Sequence, residues 1–133
     1  MRQRRFVFIA LLTMLVYGVY IFFLAPIVRE RSAVSNIQLE DIDLTEVRDG
    51  TYRGVFDTGG YDYEVEVHVA AHRIKEINVL NNRQGEHAQK AEAVTDRVIE
   101  AQSLQVDTVS GATTTSKALL KAIENALRSS FKQ

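Results

Sequence analysis

The residues best suited to chemistry form a hydroxyl-rich segment, Asp107-Thr-Val-Ser-Gly-Ala-Thr113, which continues through Thr114 and Thr115 to Ser116 and then into a helical pattern. We expect a helix to begin near Thr114, and the first backbone N–H groups of a helix lack intrahelical acceptors. Their partial positive charge suits a phosphate. Gly111 permits backbone angles that are closed to other residues, and Ala112 adds little bulk. The segment is therefore a candidate site for binding or esterifying a phosphate group.

A purely structural interpretation of the same segment stays open. Ser and Thr are favoured N-caps of helices, and an Asp at position 107 is able to form an Asx-turn. Hydroxyl-rich helix starts are common in proteins without ligands. The two interpretations are compatible, because a capped helix start also directs N–H groups towards a phosphate.

The other polar candidates indicate no catalytic residue and no metal site. His68 and His72 fall on a predicted strand and turn, so their spacing does not bring the two rings together, and His87 stands apart from both. We expect all three histidines to be exposed. Glu64 and Glu66 share a strand face that we expect to be solvated, which does not favour a catalytic pair.

Three tyrosines lie in the predicted strands or directly before one of them, and they could stack on a flat ligand. They are Tyr52, Tyr61 and Tyr63. Roles in the core or on the surface of a sheet explain them better.

The elements that must position the hydroxyl segment follow from the periodicity. Residues 51–56, 62–69 and a run ending near Leu80 read as three strands joined by short links, and the middle one alternates apolar and polar residues. Residues 86–102 and 114–131 repeat apolar residues every three or four positions, as helices do. Strands followed by helices predict an α+β fold: a small antiparallel β-meander packed with two helices, preceded by one N-terminal transmembrane helix.

The last predicted helix is amphipathic. Its apolar stripe contains six residues, and four charged residues are expected to lie mostly away from it. The stripe is Ala118, Leu119, Ala122, Ile123, Ala126 and Leu127, and the charged residues are Lys117, Lys121, Glu124 and Arg128.

The N-terminal region predicts a membrane anchor. Residues 6–28 contain no charge, and as a helix they would reach roughly 34 Å at about 1.5 Å per residue, enough to cross a bilayer core. A cleaved signal peptide is the competing interpretation, but its apolar region is usually shorter, and Pro26 makes Ala25-Pro26-Ile27 a poor cleavage site. Arginines at positions 2, 4 and 5 precede the span, whereas Arg29 and Arg31 follow it. This margin favours a single pass with a cytoplasmic N-terminus and a domain outside the cytoplasm.

The chain is predicted to have three parts, and its composition excludes some kinds of partner and site. We predict an anchor at residues 1–31, a linker at 32–48 and a domain at 49–133. From Ser32 onwards there are 11 Lys and Arg against 16 Asp and Glu, so this part has a net charge near −5 and is not expected to bind nucleic acid. The chain has no cysteine, which excludes disulfides, thiolate metal sites and cysteine nucleophiles.

The hydroxyl segment resembles the pattern Asp-x-x-Ser/Thr-Gly-Ala-Thr/Ser of FMN-binding domains that receive FMN from a flavin transferase. Related domains occur in the flavin subunits of sodium-pumping NADH:quinone oxidoreductase and of the Rnf electron-transport complex. Asp107, Ser110, Gly111, Ala112 and Thr113 fill every specified position. The flanks also look similar, namely Asp49-Gly-Thr-Tyr-Arg-Gly54, Gln102-Ser103 with Val106 before the motif, and Thr115-Ser-Lys-Ala118 after it. The resemblance covers about residues 49–130.

The resemblance implies a role for each matched residue. Thr113 matches the acceptor, whose hydroxyl oxygen becomes a phosphodiester to the ribityl phosphate of covalent FMN. Asp107 matches the acid needed for recognition by the transferase or for positioning its metal. Ser110 and Gly111 would shape the turn and contribute hydrogen bonds to the phosphate, and Ala112 would be selected for size. Thr108, Thr114, Thr115 and Ser116 are alternative attachment points.

The implied function is that of a membrane-anchored extracytoplasmic electron-transfer flavoprotein. It would be a redox carrier rather than a self-contained catalyst, and the substrate of a flavin transferase that uses FAD and a divalent metal. Its electron partner would be a redox protein, a quinone or an electron-transport complex. The alternative is a non-redox membrane-anchored binding or scaffold module of a larger complex.

One segment departs from the family pattern. Many relatives carry a longer segment with Gly and Pro between the third strand and the next helix, where it helps to line the flavin site. Here the segment is only Asn81-Asn-Arg-Gln-Gly85. We therefore expect the isoalloxazine ring to be unusually exposed.

Overall fold

One long helix forms the N-terminal part of the computed structural model, which describes residues 2–132. It consists of α1 (Arg2–Val19), a π-helical turn (Tyr20–Leu24) and α2 (Ala25–Ser35). Pro26 lies in the first turn of α2, and because proline has no N–H, the wider turn before it accommodates the missing hydrogen bond. The helix from Gln3 to Ser35 is long and apolar enough to cross a membrane, a test that an N-terminal signal sequence would also pass.

Three antiparallel strands follow in the order in which they occur in the chain. They are β1 (Gly50–Asp57), β2 (Asp62–Ala70) and β3 (Arg73–Asn81). The predicted meander is confirmed. The link between β2 and β3 is only Ala71-His72, and the φ angles of 53° and 55° at these two residues are those of a tight type I′ hairpin.

One face of the sheet is buried and the other is solvated. The alternation predicted for β2 is observed, since Tyr63, Val65, Val67 and Val69 are all fully buried. The glutamates between them lie on the opposite face, where Arg53 forms ion pairs with Glu64 and Glu66. These two acids are therefore balanced by a surface arginine.

Three helices complete the domain: α3 (Glu86–Ala91), α4 (Ala93–Ala101) and α5 (Thr113–Ser129). The helix predicted over residues 86–102 is thus divided at Glu92. The side-chain amide of Asn82 donates to the Ala88 carbonyl at 2.9 Å, and the Glu92 N–H donates to Gln89 instead, at 3.2 Å. In a continuous helix the Glu92 N–H would bind the Ala88 carbonyl. Because the Asn82 side chain binds that carbonyl instead, the helix is interrupted here.

Helix α5 packs across β1 and β2, and the six residues of its predicted apolar stripe are all buried. Glu124 lies outside this stripe but is nevertheless 0% exposed. Lys121 and Arg128 neutralise its carboxylate at 3.0 and 2.8 Å, and the Glu40 N–H lies 3.4 Å from it. The chain before β1 covers this side of α5, which the helical period could not reveal.

Residues 36–48 form neither a helix nor a strand, but they pack against the domain. Val47 is fully buried, and Ile37, Leu39, Ile42 and Leu44 are partly buried against the core. Asp41 accepts hydrogen bonds from the Ser103 hydroxyl and the Leu104 N–H. The predicted division into an anchor, a linker and a domain, with boundaries at residues 31 and 48, stays a prediction. In the structure, the predicted linker packs against the core of the domain.

Candidate functional site

The hydroxyl segment forms a tight turn that leads directly into α5. The Ala112 N–H donates to the Val109 carbonyl at 2.9 Å, and Gly111 has a φ of 78°. A positive φ at the third residue of a four-residue turn is typical of type II turns and favours glycine. An added Cβ at Gly111 would meet nothing within 4 Å, so backbone conformation rather than space explains the glycine.

The start of α5 carries no side-chain cap. Its N-cap residue is Ala112, which has no side-chain hydrogen-bond group, and the first helical residue is Thr113. The Ser and Thr residues around it therefore do not act as the N-cap. Because the first N–H groups of a helix have no intrahelical acceptor, this end is suited to an anionic ligand.

The hydroxyl residues differ sharply in their accessibility. Thr113 and Ser110 are exposed, and Thr108 and Thr114 are partly exposed. Thr115 and Ser116 are buried, with exposed fractions of 6% and 0%. Among the residues that the motif and its flank offer for attachment, the acceptor position is thus open to solvent and to an enzyme.

Two side chains outside the matched motif, those of Arg97 and Ser116, hold the loop in place. The Arg97 guanidinium donates from one nitrogen to the Asp107 carbonyl at 2.8 Å and to the Thr108 carbonyl at 3.0 Å. The buried Ser116 hydroxyl accepts from the Val109 N–H at 3.2 Å. Arg97 carried no recognisable signal in the sequence, whereas Ser116 was considered only as an attachment point.

Replacing Ser116 with alanine is expected to destabilise this loop. The buried Val109 N–H would lose its acceptor, which costs about 1–3 kcal/mol. Hydrogen exchange should show faster exchange at Val109 and in the following turn. Ser129→Ala is the matched control, since that hydroxyl only donates back to Ala126 within the same helix. Unchanged hydrogen exchange in Ser116→Ala would show that the Ser116 hydroxyl does not stabilise this loop.

The carboxylate of Asp107 is exposed to solvent. Within residues 2–132 its side chain forms neither a hydrogen bond nor an ion pair, although its backbone carbonyl is bound by Arg97. The carboxylate is therefore accessible to an external group.

A small cleft lies next to the first turn of α5. Its volume is about 180 Å³, and it is lined by Arg83, Gln84, His87 and Thr115 among others. Clefts that enclose ligands of cofactor size usually exceed about 300 Å³. This cleft is smaller than that and has room for only part of a ligand of cofactor size.

A buried ionic cluster lies behind this cleft. The Tyr63 hydroxyl donates to Glu30, and Arg83 forms an ion pair with the same carboxylate at 2.8 Å. Burial, together with the hydrogen bond to Glu30, raises the pKa of the Tyr63 phenol, and Thr115 and Arg83 act in the opposite direction. Tyr63 therefore stays protonated and serves as a donor.

The remaining aromatic and histidine residues occupy ordinary structural positions. Tyr52 is buried and donates to the Arg48 carbonyl at 2.9 Å, whereas Tyr61 is half-buried under the Arg83 guanidinium, 4.4 Å from its ring centre. His68, His72 and His87 are exposed on a strand, a turn and a short helix, and residues 2–132 contain no group of three potential metal-ligating side chains that includes them.

Comparison with known protein families agrees with this geometry. The model of the FMN-binding domain matches residues 60–128, which include β2, β3, α3, α4, all of α5 except its last residue, and the loop before Thr113. No curated protein matches the chain significantly. The matched region covers just over half of the chain and confirms the resemblance found in the motif. The protein belongs to the FMN-binding domain family, and this membership supports FMN as its cofactor.

Proposed function

We propose that this protein is a membrane-anchored electron-transfer flavoprotein that carries FMN as a phosphodiester on Thr113. One observation carries the proposal: within a domain of the FMN-binding family, the residue at the acceptor position of the motif is exposed at an uncapped helix start. A phosphate attached there lies beside N–H groups that need an acceptor.

Four residues of the loop have a part in attaching or holding the cofactor. Thr113 supplies the hydroxyl oxygen. Gly111 keeps the turn in a conformation that other residues adopt only with strain, while Ser110 offers an exposed hydroxyl to the phosphate. Asp107 presents a free carboxylate, which suits recognition by the transferase or its divalent metal. Bound FMN would supply the isoalloxazine ring that accepts and donates electrons.

The small cleft beside α5 supports a carrier rather than a self-contained reductase. Because the cleft of about 180 Å³ is smaller than the clefts that usually enclose such ligands, we expect a bound isoalloxazine to stay accessible to a partner. An accessible ring favours electron exchange between proteins or with a small carrier. It gives little means of excluding water or of orienting a dedicated substrate.

The anchor and the charge pattern support a location of the domain at the extracytoplasmic surface of the cell membrane. The helix from Gln3 to Ser35 is long enough to span a bilayer, and the preceding arginines favour a cytoplasmic N-terminus. Covalent attachment is useful there, because a cofactor lost outside the cytoplasm is not easily replaced.

The full-length protein, produced together with a flavin transferase, tests the proposal. We expect a mass gain equal to FMN minus one water, flavin fluorescence on a denaturing gel, and loss of the oxidised-flavin absorbance when membranes are supplied with an electron donor. A protein without added mass would contradict covalent attachment and favour the scaffold alternative. A flavinylated protein whose absorbance does not respond to any membrane donor would contradict electron transfer.

A further inference from the structure

The outer end of the membrane helix is buried in the FMN-binding domain rather than separated from it. Every large apolar side chain of residues 6–24 is exposed, whereas Ala25, Glu30 and Val34 are buried. An added Cβ at Gly60, in the turn between β1 and β2, would lie 2.6 Å from the Pro26 carbonyl oxygen. The domain therefore contacts the helix at the level where its apolar segment ends.

Glu30 is the centre of this contact. It is 1% exposed, accepts a hydrogen bond from Tyr63 and pairs with Arg83 at 2.8 Å. A carboxylate buried to this degree requires both partners, because an unpaired buried charge is strongly unfavourable. Glu30 thus binds the helix to the start of β2 and to the segment after β3.

The same cluster reaches the beginning of α5. Thr115 lies close enough to Tyr63 to affect its titration, and Thr115 and Arg83 line one cleft. Thr113 precedes Thr115 by two residues, which is about 3 Å along a helix axis. The proposed attachment site is therefore at the end of α5 that adjoins the cluster around Glu30.

The level of this site relative to the bilayer follows from the sequence of the helix. The uncharged segment ends at Val28, and Glu30 is two residues further, or about 3 Å along the helix. Arg29 and Arg31 on either side of Glu30 are exposed, as expected for side chains at the level of lipid headgroups.

From these contacts we propose that the end of the domain that carries the flavin attachment site faces the bilayer surface, and that Glu30 is the positioning residue that holds it there. The electron partner that fits this arrangement is embedded in the membrane, so that its redox group is at headgroup level. The identity of the partner as a redox group rests on the proposed function, whereas the orientation does not.

The absence of cysteine from the chain allows single-cysteine variants to test this orientation without flavin. A fluorophore at Gln84→Cys, beside the cleft, is compared with one at His72→Cys, in the turn at the other end of β2. The full-length protein is placed in liposomes that contain a lipid with a quencher on its headgroup. The two positions are separated by up to roughly 25 Å of strand, so we expect quenching at Gln84 to be about threefold stronger or more. Equal quenching, or stronger quenching at His72, would overturn the proposal.

Two further variants test the role of Glu30. Glu30→Gln removes the charge that pairs with Arg83, and Gly60→Val creates a clash with Pro26 without altering the buried charge. Each should reduce the difference in quenching between the two positions, whereas Arg31→Gln, one residue further on an exposed side of the helix, should preserve it. A difference that persists in both Glu30→Gln and Gly60→Val would show that other contacts fix the orientation. Because no flavin is needed, this result is independent of whether Thr113 is modified.

Discussion

Replacing Thr113 with alanine is expected to abolish covalent flavin attachment. The alanine side chain has no oxygen with which to form the phosphodiester, and the exposed hydroxyl at the start of α5 is the acceptor that the proposal requires. Intact mass spectrometry of the variant, produced together with the transferase, should give the mass of the unmodified polypeptide. The denaturing gel should show no flavin fluorescence.

The neighbouring residues provide matched controls for this loss. Thr114→Ala removes the next hydroxyl, which is partly exposed, and should leave the modification intact. Thr113→Ser keeps a hydroxyl at the same position and should retain detectable flavin. Full modification of Thr113→Ala would contradict the assignment, and loss of flavin in Thr114→Ala with retention in Thr113→Ala would move the attachment to Thr114.

Replacing Gly54 with alanine is expected to destabilise the domain strongly. The added Cβ would lie 2.0 Å from the Ala122 carbonyl oxygen and 2.4 Å from the Ala126 nitrogen. Both atoms belong to the backbone of α5, so no side-chain rotation relieves the clash, and the helix must move away from β1. Overpacking of this kind should cost more than about 3 kcal/mol. For a domain of this size, such a loss lowers the Tm by roughly 15 °C or more.

Thermal unfolding of the full chain in detergent, followed by the near-ultraviolet circular dichroism of its tyrosines, measures this effect. Gly18→Ala serves as the control, because an added Cβ there meets nothing within 4 Å and the residue lies in the N-terminal helix, outside the domain. A Tm of Gly54→Ala within a few degrees of the parent would show that α5 can shift without loss of packing. In that case the position of Thr113 relative to the sheet would also be adjustable.

Local patterns in the sequence predict most of the fold. Alternation of apolar residues identifies β2, and a change to helical spacing identifies α5, because a side chain's direction depends on the secondary structure of its own segment. Within residues 50–129 the boundaries agree within one or two residues, except for the break at Glu92. The N-terminal helix, by contrast, extends to Ser35, well beyond the apolar run that ends at Val28. The break at Glu92 depends on Asn82, whose side-chain amide bonds to Ala88 and Glu92. Periodicity contains no information about such a side-chain contact.

The partners of buried charges could not be predicted in the same way. Glu124 has the spacing of an exposed residue on α5, yet the preceding chain covers it, and its contact with the Glu40 N–H joins residues 84 positions apart. Glu30 stands between two arginines at the end of an apolar span, which resembles an ordinary membrane flank. Its partners Tyr63 and Arg83 are 33 and 53 residues away.

The hydroxyl segment shows the same division. By itself the sequence determined that residues 107–113 form a glycine-containing turn before a helix and match the motif of FMN-binding domains, because these properties depend on residue types and short spacings. Only the tertiary structure decided that Thr113 is exposed while Thr115 and Ser116 are buried, and that Arg97 holds the loop. It also decided that Glu30 of the N-terminal helix contacts Tyr63 and Arg83, beside the cleft at the first turn of α5. Accessibility and orientation arise from packing between distant segments, and no local pattern records them.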